Sequence, residues 1–179
     1  MRSLGLRHGV AWTTLLALAT VGRVSQGSES LGTVGALAVS ADGRLLLTGL
    51  STQDDQWHEP IRGPRAIGRV WNLETGAQAV EFSAERPVII RGVAISPDGK
   101  YAAVSGEAAY RVVGMVGNFI MGPQMVSLWL VENGELLHEW MEVNAGITFS
   151  PDGNKLYFTN NANLGVVDLA DDHFEIQVL

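Results

Sequence analysis

The four residues Ser96-Pro97-Asp98-Gly99 lie between two apolar runs and decide how the chain around them folds. Val93-Ala94-Ile95 precedes them, and Tyr101-Ala102-Ala103-Val104 follows after Lys100. Serine suits the first position of a type I turn, proline fixes φ at the second, aspartate suits the third, and glycine adopts the left-handed conformation that follows. Because such a turn commonly joins antiparallel strands, this stretch predicts a β-hairpin.

The same turn recurs as Ser40-Ala41-Asp42-Gly43 and as Ser150-Pro151-Asp152-Gly153, so the chain is built from three repeats. Short runs rich in β-branched and aromatic residues flank each turn, and no helical period is sustained after residue 27. We therefore predict four strands per repeat, named a to d in order. They cover residues 33–39, 44–48, 68–73 and 78–82, then 88–95, 100–105, 125–130 and 135–140, then 146–149, 155–159, 164–169 and 174–179.

The repeats resemble those of WD40 β-propellers. The phrase Val93 to Lys100, the run Val126-Ser127-Leu128-Trp129 and the d strand ending at Trp140 carry the resemblance, which extends over residues 31–179. It implies an all-β fold, a partial β-propeller of three four-stranded antiparallel blades around a central axis. The expected blades cover residues 31–83, 88–141 and 145–179, within a propeller domain of residues 28–179.

Several residues that are typical of these repeats are replaced. The Trp-Asp pair of the family reads Trp71-Asn72, Trp129-Leu130 and Val167-Asp168, and the Gly-His pair that precedes strand a is missing from all three units. In the family, that histidine joins a buried network with Ser or Thr, Asp and Trp. We expect the network to be incomplete here, and the blades to depend more on apolar packing.

Composition limits the classes of partner. The chain of 179 residues is 46% hydrophobic, contains no cysteine and has a formal net charge of −7. Without residues 1–27, which hold three arginines and no acidic residue, the charge would be −10. An acidic surface repels phosphate backbones and anionic lipids, so we expect no nucleic-acid partner and no membrane association of the mature chain.

The N-terminus has the pattern of a signal peptide. Arg2, Arg7 and His8 precede an apolar run from Val10 to Val21, and small residues near Gly27 suit a cleavage site. We interpret residues 1–27 as a signal peptide, cleaved after Ala19 or after Gly27, and expect export to the periplasm or the extracellular space. The alternative is that the apolar run forms a strand of the fold.

Units one and two carry an insertion between strands b and c. From the first turn glycine to the second turn, units one and two span 33 and 35 residues, whereas unit three spans 19. In a meander of four strands, the a–b and c–d turns lie at one edge and the b–c and d–a connections at the other. Both insertions therefore project from the edge opposite the Ser-Pro-Asp-Gly turns, and insertions on one face often mark the binding face.

The insertions supply the candidate partner-binding residues. The first is polar with one large aromatic residue and has the composition of an interface anchor or of a solvated loop. The second is apolar, which favours an extended b–c hairpin, with an apolar binding patch as the alternative. The candidates are Trp57, His58, Arg62, Arg65, Tyr110, Arg111 and Phe119.

No motif for catalysis, for a metal or for a cofactor stands out. Two groups carry suitable donor atoms without a spacing that forces a site; they are Asp54, Asp55, His58 and Glu59, and Asp171, Asp172 and His173. We expect His138 to be a packed or edge residue of strand d and not a catalytic base. The sequence favours a non-catalytic scaffold that binds a protein or peptide. The alternatives are the remnant of a lactonase- or quinoprotein-like propeller enzyme and a structural fragment of a longer propeller.

Three repeats are fewer than the four to eight blades of closed propellers. Three arrangements follow: the chain is a fragment of a longer propeller, it associates with itself so that two chains give six blades, or it remains an open wedge that its insertions cap.

Overall fold

A computed structural model describes residues 33–51, 65–85, 88–111, 119–143, 146–160, 163–170 and 173–179. All elements within these ranges are strands. The first four are β1 (Thr33–Val39), β2 (Leu45–Ser51), β3 (Arg65–Asn72) and β4 (Gln78–Ala84). The next four are β5 (Val88–Ile95), β6 (Tyr101–Arg111), β7 (Phe119–Leu130) and β8 (Glu135–Met141). The last four are β9 (Ile147–Phe149), β10 (Lys155–Asn160), β11 (Asn163–Asp168) and β12 (Gln177–Val178).

The strands form three antiparallel sheets, each a simple meander. The strand orders are β1-β2-β3-β4, β5-β6-β7-β8 and β9-β10-β11-β12, which we call blades 1, 2 and 3. The predicted all-β fold of three four-stranded blades is confirmed. Strands b and c of blades 1 and 2 are longer than predicted. In blade 1, β2 continues to Ser51 along β1 and β3 starts at Arg65 along β4, whereas in blade 2, β6 and β7 continue along each other to Arg111 and Phe119.

The a–b turns use one set of hydrogen bonds in all three blades. In blade 2 the Ser96 hydroxyl donates to Asp98 Oδ1 at 2.6 Å and accepts from the N–H of Tyr101 at 2.8 Å. Asp98 Oδ1 also accepts from the N–H of Lys100 at 3.0 Å, and Gly99 has φ of 74°. Equivalent bonds start at Ser40 and Ser150. The turn is therefore an element of the repeat, as its recurrence predicts.

The hydrophobic core lies between the blades. Leu47, Ile67, Val70 and Phe82 of blade 1 form one cluster with residues of blade 2, and Leu128 and Trp140 of blade 2 form another with residues of blade 3. An aromatic residue six positions after the c–d turn glycine joins each pair of blades. Phe82 stacks on Trp129 with ring centroids 5.2 Å apart, and Trp140 packs on Phe158 at 5.7 Å.

Part of the polar network of the repeats survives. The indole Nε1 of Trp71 donates to Thr48 Oγ1 at 3.1 Å, and that of Trp129 donates to Ser127 Oγ at 2.8 Å. Thr48 lies on strand b and Ser127 on strand c. The two hydroxyls nevertheless occupy one cross-strand position, because Thr48 pairs with Arg69 and Val104 pairs with Ser127. Each indole thus keeps a hydroxyl acceptor, by two different substitutions.

Candidate functional site

The predicted binding residues lie on the b–c edge. This edge is formed by the C-terminal ends of β2 and β6 and the N-terminal ends of β3 and β7. Trp57, His58 and Arg62 lie outside the described residues, so their places stay predictions. The backbone of the other four is described at strand ends. Arg65 begins β3, Tyr110 and Arg111 end β6, and Phe119 begins β7.

The second insertion contributes an extended hairpin to this edge. β6 and β7 pair from Tyr101 with Leu130 out to Arg111 with Phe119, and the register shifts between Glu107 and Ala109. Tyr110, Arg111 and Phe119 therefore meet on adjacent strands, with Tyr110 opposite Ile120. This is the extended b–c hairpin that the apolar composition favours. β-bulges turn the strand direction and commonly occur beside functional sites.

An ion pair lies at the same edge, near the base of the hairpin. Arg91 on the inner strand β5 contacts Glu107 on β6 with both ends of its guanidinium, Nε to Oε1 at 3.1 Å and Nη2 to Oε2 at 3.3 Å. The Glu107 side chain is 11% exposed and that of Arg91 is 45% exposed. A bidentate pair fixes the orientation of both groups and leaves the outer side of the guanidinium in solvent.

Two further polar groups lie close to this pair along the sheet. Gln124 is the register partner of Glu107 on β7, and its Oε1 is buried without a hydrogen-bond partner. The backbone carbonyl of Gln124 accepts from the N–H of Glu142, whose φ of 63° lies in the left-handed region. The edge of blade 2 therefore combines the Arg91–Glu107 pair with a buried amide oxygen.

Blades 1 and 2 are bonded to each other at this edge. The buried Ser51 hydroxyl at the end of β2 accepts from the N–H of Ile90 on β5 at 3.1 Å. A Cβ added to Gly35 would lie 3.2 Å from that hydroxyl, so glycine leaves room for the bond. This contact links the start of the first insertion to the strand that carries Arg91.

Sequence reasoning missed Arg91, Glu107 and Gln124. Arg91 is the single charged residue of strand Val88–Ile95, which is otherwise apolar, and the sequence did not single it out. A lone charge in an otherwise apolar inner strand is the signal that was available, since a charge near a buried sheet needs a partner. The partner, Glu107, is sixteen residues away and is brought close by the hairpin.

The candidate metal ligands gain no support. Asp54, Asp55, His58, Glu59, Asp171 and Asp172 lie outside the described residues. Within the described ranges, no three His, Cys, Asp or Glu side chains are grouped closely enough to hold a metal ion. A search of the same residues finds no helix with the length and apolar character needed to cross a membrane.

His138 packs among aromatic side chains, as the sequence predicts. Its ring centroid lies 4.7 Å from that of Trp140 and 5.8 Å from that of Phe174, and the side chain is half-buried. The Trp140 indole Nε1 donates to the carbonyl of Phe174 at 3.1 Å. His138 therefore belongs to the contact between blades 2 and 3.

The opposite edge carries three carboxylates with lowered pKa values. The Ser40 hydroxyl and the Arg44 N–H lower the pKa of Asp42, and the Ser150 hydroxyl and the Asn154 N–H lower that of Asp152. For Asp98, partial burial raises the pKa, but hydrogen bonds from Ser96 and Lys100 outweigh it, so the pKa is lowered. These shifts follow from turn structure.

Comparison with known proteins identifies the architecture. No family model matches the sequence, and no curated protein matches it. Among solved structures, the β-propeller domain of Swd1 from Myceliophteria thermophila is 16% identical, with a TM-score of 0.52 over 82% of this chain and 39% of that one. The WD40 repeats of RRP9 are 17% identical, with a TM-score of 0.52 over 88% and 41%. The fold is that of a partial WD40 propeller.

The same fold also occurs in an enzyme. Kuenenia stuttgartiensis hydrazine synthase is 18% identical, with a TM-score of 0.50 over 74% of this chain and 39% of that chain. The chain thus spans about two fifths of the length of these solved propellers. At such identities the likeness shows the fold alone.

Proposed function

We propose that the protein is a non-catalytic interaction module of the WD40 type, which binds a protein or peptide partner through its b–c edge. The observation that carries the proposal is the extended β6–β7 hairpin, which rises from the edge that also holds the Arg91–Glu107 pair. WD40 folds generally serve as protein-interaction scaffolds, which supports this class of function. The candidate binding residues at that edge remain those named from the sequence.

The chemistry of the edge indicates the kind of partner. The hairpin carries one arginine and two aromatic residues close together. Tyr110 and Arg111 are consecutive on β6, and Phe119 pairs with Arg111 across the hairpin. Arg91, near the base of the same hairpin, keeps its side chain 45% exposed. Aromatic and arginine side chains are the residues that most often anchor protein interfaces. We expect a peptide with an apolar anchor and a carboxylate, and not an anionic polymer, given the net charge of −7.

Panning of a random peptide library against the immobilised protein tests the proposal. Fluorescence anisotropy then gives the Kd of enriched peptides for three variants: Trp57→Ala with Arg62→Ala, Arg111→Ala, and Lys100→Ala as control. Lys100 is exposed at the opposite edge. We expect the b–c variants to weaken binding about tenfold or more, as loss of an interface anchor does, and the control to leave it unchanged. Equal Kd values for all variants would contradict binding at this edge.

Export is proposed on the N-terminal pattern of residues 1–27, which lie outside the described residues. N-terminal sequencing of protein from the exported fraction tests it, and a mature N-terminus at residue 20 or 28 is expected. Recovery of the intact N-terminus inside the cell would contradict it.

The remnant of a propeller enzyme is the alternative, for which the shared fold with hydrazine synthase is the support. Analysis of purified protein for metals separates the two functions, because a stoichiometric ion would favour catalysis. Self-association that completes the propeller is a further proposal.

A further inference from the structure

Blade 1 exposes an apolar face that we call the first flank. Register places five side chains on this face: Leu37 beside Thr48, Val39 beside Leu46, and Leu46 beside Trp71. Leu37 is 67% exposed and Val39 is 50% exposed. Arg69 and Glu81 lie on the same face and form an ion pair at 2.8 Å, so the flank adds no net charge.

The same repeat positions are covered in the other two blades. Counted from the turn serines Ser96 and Ser150, the equivalents of Leu37 and Val39 are Val93 and Ile95 in blade 2, and Ile147 and Phe149 in blade 3. All four belong to the clusters between blades. The equivalents of Leu46, Thr48 and Trp71 are buried to 5% exposure or less; they are Ala102, Val104 and Trp129, and Leu156, Phe158 and Val167. The first flank therefore has the composition of an interface between blades.

Blade 3 exposes the complementary side of such an interface, the third flank. Its outward face holds Thr159 paired with Leu164, which is 40% exposed, and Tyr157 paired with Val166. Tyr157 is half-buried and Val166 is 6% exposed, so the exposed part of this flank is its margin at Thr159 and Leu164. Tyr157 and Val166 occupy the repeat positions of Leu47 and Val70 in blade 1 and of Ala103 and Leu128 in blade 2. Those four residues are buried where blades meet.

The two flanks thus correspond to the two sides of the interfaces between blades 1 and 2 and between blades 2 and 3. At each interface, this outward face of one blade covers the Leu37-type face of the following blade. The third flank is an outward face of the type that covers the next blade. The first flank is a Leu37-type face, the type that is covered. The third flank is more polar than the same face of blades 1 and 2, because it carries Thr148, Thr159 and Gln177. A partner that carries both flanks in the correct geometry is a second copy of this chain.

We propose that two copies associate head to tail, the third flank of each covering the first flank of the other. The product is a ring of six blades with two-fold symmetry, within the four to eight blades at which propellers close. This inference deepens the proposed self-association. It is independent of partner binding by the candidate residues, since neither flank includes any of them.

The solution mass of the full chain, by size-exclusion chromatography with light scattering, tests the proposal. We expect a dimer of the 19.2 kDa chain. Leu37→Glu and Leu164→Glu should each give a monomer. Mixing the two variants should restore a dimer, because the mixed pair places both changes at one interface and leaves the other interface unaltered.

Leu136→Glu is the matched control, since Leu136 on β8 is 45% exposed and lies on neither flank. It should remain dimeric. Circular dichroism checks that each variant folds, with Leu37→Gln as a milder substitute. A wild-type monomer overturns the proposal. The head-to-tail arrangement is overturned if the Leu37→Glu variant is a monomer while the Leu164→Glu variant remains a dimer, and if mixing the two forms no mixed dimer. Peptide affinity measured on the monomeric variants reports separately on the proposed function.

Discussion

At the scale of single residues, the carboxylate of Glu107 is nearly buried and is neutralised by Arg91. A charge removed from water is costly unless a partner compensates it. The two Arg91 bonds at 3.1 and 3.3 Å supply that compensation while the guanidinium stays half in solvent. The pair therefore positions the inner strand of blade 2 against the base of the hairpin.

Replacing Arg91 by alanine should lower the free energy of unfolding by about 1–3 kcal/mol, because the nearly buried Glu107 carboxylate loses its hydrogen-bond donors. Glu107→Gln should restore part of this loss in the double variant, since the buried charge is removed. Urea denaturation of the wild type, both single variants and the double variant gives the coupling energy. Strictly additive effects would contradict the pairing.

The turn carboxylates make stability depend on acid pH. The pKa of Asp98 is lower in the folded chain than the usual 3.8, so its contribution is fully present above that value. It is lost as the pH falls through the folded pKa, because the folded state must then take up a proton. Denaturation between pH 2 and 6 should show a smaller acid loss for Asp98→Asn than for the wild type. Identical pH profiles would contradict a role for this turn.

At the scale of elements, each pair of neighbouring blades is joined by an aromatic residue of strand d, which is β4 in blade 1 and β8 in blade 2. Phe82 is fully buried and stacks on Trp129 of the next blade, and Trp140, which is 6% exposed, packs at a tilt of 35° on Phe158. Both follow the c–d turn by the same interval, so one position of the repeat controls both interfaces.

Phe82→Ala should lower the free energy of unfolding by about 3–5 kcal/mol, because it opens a cavity between blades 1 and 2. Leu136→Ala removes an apolar side chain of similar size from a site that is 45% exposed, and it should cost less than about 0.5 kcal/mol. Urea denaturation compares the two. Equal small effects would show that the blades do not depend on this contact.

Most of the fold could be predicted from the sequence, because turns and alternating strands are local signals. β1 and β5 have the predicted bounds, since a turn serine ends each of them. The apolar second insertion predicted an extended hairpin, but the bounds of β6 and β7 were not predicted, because pairing through an insertion depends on the partner strand and not on a turn motif. Arg91 and Glu107 were missed for a related reason, since their contact spans sixteen residues.

At the scale of the whole molecule, the described residues form a series of three blades with two unlike ends. The first flank is apolar and more than half exposed at Leu37, whereas the third flank carries Thr148 and Gln177. An interface formed from them would bury less apolar area than the two inside the chain. We therefore expect the proposed ring to separate into single chains before a chain unfolds, as dilution or urea increases.

The exchange of the indole acceptor between Thr48 and Ser127 has a consequence for how such repeats diverge. The hydroxyl has moved to the facing strand while the bond to the indole is kept. Aligned column by column, Thr48 against Val104 and Arg69 against Ser127 count as two unrelated mismatches. In space they are one compensated pair. Substitutions of this kind let a repeat lose its sequence similarity to the family motif while its side-chain hydrogen bond to the indole is kept.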